Sequence, residues 1–155
     1  MNFSLIYGAN CPPELKNIIA PMFEKFQLLV PKWVEDVYVT FDDEQDENYT
    51  VVETITVKEY RNIQLRFYPD FIYTRTDKLY HFVHELCHAI YGAVYQYSYT
   101  NFTNLLSDIG DEKLKRHVLE ELRKYNESST QDLTNLIFTL MRIDKRTGKS
   151  IKRGK

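Results

Sequence analysis

The chain has 155 residues, 43% of them hydrophobic and 27% charged, with a formal net charge of −2. That is one domain's worth of sequence with the apolar fraction of a folded globular protein, which excludes a disordered chain. The slight acidity argues against general nucleic-acid binding by the body of the domain, and charges interrupt every hydrophobic segment before it is long enough to cross a bilayer.

Met1–Asn10 has no basic stretch followed by an apolar run, so no secretory leader is expected. Cys11 and Cys87 offer no disulfide framework, and the chain is assigned to the cytoplasm as a soluble, reduced protein. From Pro12 to Leu29 the residues Leu15, Ile18, Ile19, Met22, Phe23 and Phe26 recur at helical spacing, with Pro12 and Pro13 suited to the first turn and Pro21 a source of a kink. Val34–Phe41 alternates Val37, Val39 and Phe41 against Tyr38 and Thr40, the period of a half-buried strand. The acidic run Asp42–Asn48 lacks the glycine and terminal glutamate of a calcium loop and is expected to be a solvated hairpin loop. Two more strands, Thr50–Glu59 and Ile63–Tyr68, complete a three-stranded sheet that Pro69 and Asp70 end.

The remainder is helical. Thr76 can cap a helix from Asp77 to about Tyr97, and a polar stretch, Ser98–Gly110, separates it from helices at Asp111 to about Tyr125 and about Glu127 to Arg142. Residues 1–143 are expected to form a single domain. Asp144–Lys155 holds Lys145, Arg146, Lys149, Lys152, Arg153 and Lys155 with no hydrophobic pattern, and is expected to be a flexible, solubilising tail. Twelve tyrosines suit a cleft or partner surface lined by amphipathic rings.

The chemistry concentrates in Val83-His84-Glu85-Leu86-Cys87-His88-Ala89, which contains HExxH. Residues four apart share a helix face, so His84 and His88 can present two imidazole nitrogens to one ion. Zn2+ suits such a site because it accepts neutral imidazole and tolerates three ligands with one position open. Glu85 lies beside that face, where it can act as general base towards a metal-activated water and pass the proton to a leaving amine. Leu79, Phe82, Val83, Leu86, Ile90, Ala93 and Tyr97 form an apolar stripe nearly opposite the histidines, which places the stripe on the sheet and the histidines on a cleft. His81, one turn earlier, is expected at the rim.

A third ligand must come from elsewhere, and four residues compete for it. His117 is the only later histidine. Glu120 points away from the apolar stripe of its helix. Glu121 falls on that stripe with Val118, Leu122 and Tyr125, an unusual place for a carboxylate without a partner. Glu127 opens the last helix, beside the stripe Leu133, Leu136, Ile137 and Leu140, where a favourable helix-terminal charge would also explain it.

HExxH followed some tens of residues later by a helix-borne glutamate resembles the gluzincin group of zinc metallopeptidases, in particular its small intracellular and phage-encoded versions. In several gluzincin families the ligand follows Asn and precedes a small residue three positions on, and Asn126-Glu127 with Thr130 is similar, whereas Glu121 is followed at that distance by Lys124. The resemblance implies an α+β zincin-like fold with an N-terminal helix, a short three-stranded sheet, the HExxH helix and C-terminal helices. It implies His84, His88 and Glu127 as zinc ligands, Glu85 as general base, and a protein or peptide substrate that pairs with a sheet edge beside the cleft. Ile63–Tyr68 is the expected edge. Unlike the larger enzymes, the sequence has no evident partner for the oxyanion; Tyr91, Tyr95 and His117 are the candidates. Two alternatives stand beside this reading. One is a non-catalytic, zinc-stabilised module whose tyrosine-rich surface binds a protein. The other is an SprT-like protease acting on nucleic-acid-bound proteins, whose site normally closes with a histidine, for which only His117 is at hand.

Overall fold

The structure, a computed structural model, describes residues 3–44, 50–57, 60–107 and 111–151. Its first element is a strand rather than a helix: β1, Ser4–Tyr7, precedes α1, Pro13–Phe26. Four residues are too few to signal a strand by periodicity. They become one because Leu5 and Tyr7 face the core and the backbone pairs with β2, Asp36–Phe41, in parallel register Leu5↔Val37 and Tyr7↔Val39. α1 buries Leu15, Ile19, Phe23 and Phe26, continues through Pro21, and passes through a 3₁₀ turn, Gln27–Leu29, before β2.

Two further strands, β3 (Val52–Val57) and β4 (Asn62–Phe67), complete a sheet of four strands, not three, in the order β1-β2-β4-β3. β4 lies parallel to β2 through Val37↔Ile63 and Val39↔Leu65, and antiparallel to β3 through Thr54↔Leu65 and Thr56↔Ile63. This corrects two expectations. The acidic run after β2 is not a hairpin loop, because β4 separates the strands that the run connects; its residues 45–48 lie outside the described residues. The segment Ile63–Tyr68 is an interior strand, and β3 is the edge. Alternation in β4 (Ile63, Leu65 and Phe67 fully buried, Gln64 and Arg66 outward) shows which face is buried but carries no record of what pairs on either side.

After a short helix α2, Pro69–Tyr73, come two long ones: α3, Lys78–Ser107, and α4, Glu112–Met141. Each has 30 residues and spans about 45 Å. α3 lays Phe82, Val83, Leu86, Cys87 and Ala89 on the sheet, with Phe82 edge-on to Phe23 of α1 at 4.8 Å. Each large apolar side chain buried there contributes about 1.5–3 kcal/mol. Farther along the expected stripe the core runs out: Ile90 is 37% and Tyr97 73% exposed. The stretch 98–107 continues the helix, since it contains no glycine or proline to stop it.

Where two C-terminal helices were expected, α4 is continuous. Asp111 caps it, accepting from Lys113 N and Leu114 N at 3.0 and 2.9 Å, and Arg142 closes it in the left-handed conformation. Asn126-Glu127-Ser128-Ser129-Thr130 has the composition of a helix start, but Asn126, Glu127 and Thr130 turn their polar groups to the histidines of α3 instead of capping. The face turned to α3 is Thr130, Thr134, Ile137 and Phe138, while Leu136 and Leu140 are exposed. Beyond α4 the chain turns back, and Ile143 pairs with Ser150.

Candidate metal centre

One turn of α3 separates His84 from His88 and brings their Nε2 atoms 3.1 Å apart, with the rings edge to face at 4.7 Å. His84, Glu85 and His88 each offer a donor atom within 4.8 Å of the others, an HExxH cluster placed to chelate a metal ion. α4 crosses this face and delivers Glu127, whose two carboxylate oxygens lie 3.6 Å from His84 Nε2 and 3.5 Å from His88 Nε2. The imidazoles hold the Glu127 carboxyl well below the usual carboxylate range, against an opposing push from partial burial. Donor separations of 3.1–3.6 Å match a tetrahedral zinc site, in which bonds of about 2.0–2.1 Å set ligand atoms about 3.3 Å apart. The donor set, two imidazoles and a carboxylate, is the one zinc takes in hydrolytic sites.

The histidines are held from behind. His88 Nδ1 lies 3.2 Å from Thr130 Oγ1 and 3.3 Å from Asn126 Nδ2, contacts that fix its ring and leave Nε2 to face the cleft. Thr130 is fully buried and its carbonyl accepts from Thr134 Oγ1 at 2.8 Å. His84 stacks on Tyr80 at 6.2 Å with ring planes 23° apart, and Gln131 Nε2 donates to the Tyr80 hydroxyl. His84 Nδ1 is buried without a hydrogen-bond partner among the described residues.

Glu85 is nearly buried, between α3 and the edge strand β3. Burial is the main reason its carboxyl is pushed up to about 8; the Thr54 hydroxyl acts the other way, and the carboxylates of Glu127 and Glu53 add to the rise. Thr54 Oγ1 also donates to the Glu85 carbonyl at 2.8 Å, tying β3 to the motif helix. Gly92 permits the close approach one turn beyond His88: a Cβ there would overlap Thr56 Oγ1 and stand 3.1 Å from Thr56 Cβ.

These elements enclose a cleft of about 540 Å³. Residues 52–56 of β3 form one wall, Glu85, His88 and Gly92 line it from α3, and Arg123, Asn126 and Glu127 line it from α4. Of the oxyanion candidates, Tyr95 borders this cleft, Tyr91 borders a smaller neighbouring one, and His117 is exposed ten residues before Glu127 on α4. Glu121 does not lie on a buried stripe. It sits on an exposed turn of α4 and pairs with Lys124 at 2.6 Å, which supplies the partner its sequence position demanded. His81 approaches Asp77 at 3.3 Å without hydrogen-bond alignment, and burial pushes its imidazole down.

Sequence reasoning missed Thr54, Thr56 and Tyr80. Tyr80 had a signal, its place one turn before His84; the threonines had none, because nothing local shows which strand lies against the motif helix. No protein-family model matches the chain, and no curated protein or solved structure matches it either.

Proposed function

We propose that this protein is a zinc-dependent peptidase in which His84, His88 and Glu127 hold the ion and Glu85 is the general base. The observation that carries the reading is the convergence of Glu127, from a separate helix, on the two imidazoles of the HExxH turn, with Glu85 beside them in one cleft. Bound there, zinc would supply Lewis acidity to polarise a scissile carbonyl and to acidify a water.

Glu85 then takes the proton from the attacking water and returns it to the amine nitrogen as the peptide bond breaks. Its place beside the two imidazoles lets one side chain serve both transfers, as carboxylate towards the water and then as acid towards the amine. Thr130 and Asn126 hold the His88 ring, and Tyr95 borders the cleft. The free edge of β3 offers backbone groups to an extended peptide, which fixes the substrate alongside the metal centre.

The test is Glu85→Gln, which keeps the shape and removes the basicity. Bound zinc should be retained while peptide hydrolysis falls by a factor on the order of a hundred or more. An unchanged rate would remove Glu85 from the reaction. A wild-type protein that binds zinc yet cleaves nothing in a broad peptide library would favour a binding module, for which Tyr97 and Tyr125, each more than 70% exposed, provide the surface.

A further inference from the structure

The walls of the cleft carry three carboxylates and one guanidinium, and the carboxylates are accounted for. Glu53 pairs with Arg66 at 2.9 Å and accepts from the Tyr68 hydroxyl at 3.0 Å. Glu85 is packed against β3, and Glu127 faces the two histidines. The guanidinium is not. None of the ion pairs among the described residues involves Arg123. Glu120 and Glu127 stand at the i−3 and i+4 positions where a helical arginine ordinarily finds a partner, yet neither pairs with it. Arg123 borders Tyr95 instead, close enough for its charge to act on the phenol.

Position gives this cation a meaning. Arg123 is one turn before Glu127, about 6 Å along α4, and Tyr95 is two turns beyond His88, about 10 Å along α3. An extended peptide advances about 3.3 Å per residue, so that end of the cleft lies two to three residues from the metal centre. Tyr95 and Arg123 are also the shared wall with a second cavity of about 350 Å³, where Arg116 continues the cationic face two turns back along α4. The lining keeps a positive excess, Lys115, Arg116 and Arg123 against Glu112 and Glu120, and Glu112 is taken by Lys115 at 3.8 Å.

We propose that Arg123 is a specificity determinant, selecting peptides that carry a carboxylate two to three residues from the bond cleaved and binding it at the Tyr95 end of the cleft. The inference rests on the peptidase reading and adds a substrate class to it. A guanidinium meets a carboxylate with two parallel hydrogen bonds, which the exposed Arg123 side chain, beside the Tyr95 ring, is free to make.

The experiment uses zinc-loaded full-length protein at low salt. Acetylated, amidated peptides carry Glu, its isostere Gln or Lys at each position around the cleavage site, and a second series compares free with amidated C-termini. Cleavage is measured as kcat/KM, and binding to the zinc-loaded Glu85→Gln protein by fluorescence anisotropy. Wild type should favour the carboxylate peptide by about five- to tenfold, Arg123→Gln should erase the preference, and Arg123→Glu should turn it towards Lys. A preference confined to the Glu series identifies a side-chain carboxylate, and one confined to free termini identifies the C-terminus; either upholds the proposal. Cleavage or binding without a carboxylate preference, or a preference that survives in Arg123→Gln, overturns it while leaving the peptidase intact. No cleavage and no binding in either series fells the peptidase reading, and the inference with it.

Discussion

In metal-free protein, Glu85→Gln should increase stability, by an amount that pH sets. The Glu85 carboxyl is pushed up to about 8 from an ordinary 4.5, chiefly by burial. Between those two values the folded state binds more protons than the unfolded state, so stability falls as pH rises. Below about 4.5 the group is neutral in both states, and wild type and variant differ by a constant. From there to about 8 the wild type loses about 1.4 kcal/mol per pH unit relative to the glutamine variant, and above 8 the gap stays at its full size. Across the 3.5 pH units from 4.5 to 8 this comes to roughly 5 kcal/mol, a large part of the 5–15 kcal/mol that holds a domain together. Glu127 works in the opposite sense: its depressed carboxyl contributes stability that is present above 4.5 and lost on acidification, which is outside the window. Groups common to both proteins largely cancel in the difference. The assay is urea unfolding in the presence of a chelator at pH 5 to 9, followed by the fluorescence of the single tryptophan, Trp33. A gap that is flat or narrows as pH rises would show that Glu85 does not experience a buried site. With zinc restored, a neighbouring cation favours the ionised carboxylate, and the slope should flatten.

Purified protein is expected to hold about one zinc per chain, lost in His84→Ala and in His88→Ala because two remaining ligands bind weakly; metal analysis showing zinc in either variant, or none in wild type, contradicts the site. Glu127→Gln should lower zinc affinity by at least tenfold at fixed pH, whereas Glu121→Gln, which breaks only an exposed pair with Lys124, should leave it unchanged; competition with a chromophoric chelator distinguishes them, and the reverse order would move the third ligand to Glu121. Gly92→Ala gains up to about 1 kcal/mol of helix propensity but crowds Thr56, at about 1–3 kcal/mol, for a Tm about 2–4 °C lower; adding Thr56→Ala should reverse the sign, and a stabilised single variant would mean that α3 and β3 are not in close approach.

The half of the site on α3 was legible because it is a matter of local geometry. HExxH on a helix fixes two imidazoles and a carboxylate by the 3.6-residue period alone, with no knowledge of the rest of the chain. Glu127 was one of four candidates until the resemblance singled it out, since its position depends on how α4 crosses α3. The same crossing explains why the helix start read at Asn126–Thr130 does not exist: Asn126 and Thr130 reach His88, and a residue whose polar group is bound across an interface no longer competes with its own backbone. Glu121 misled for the complementary reason. Its apolar neighbours share a helix face, but that turn lies before the part of α4 that the core covers, at Thr130, Thr134, Ile137 and Phe138, so Glu121 stays half-exposed and pairs with Lys124. The sheet edge was the least legible feature, because strand order is decided by long-range pairing. β1 takes one side of β2 and β4 the other, and β3 pairs along the far side of β4. That outcome sets Thr54 against Glu85 and Thr56 against Gly92, and with them the depth at which Glu85 lies. The basicity of the Glu85 carboxyl thus depends on a strand pairing that no residue in the motif encodes.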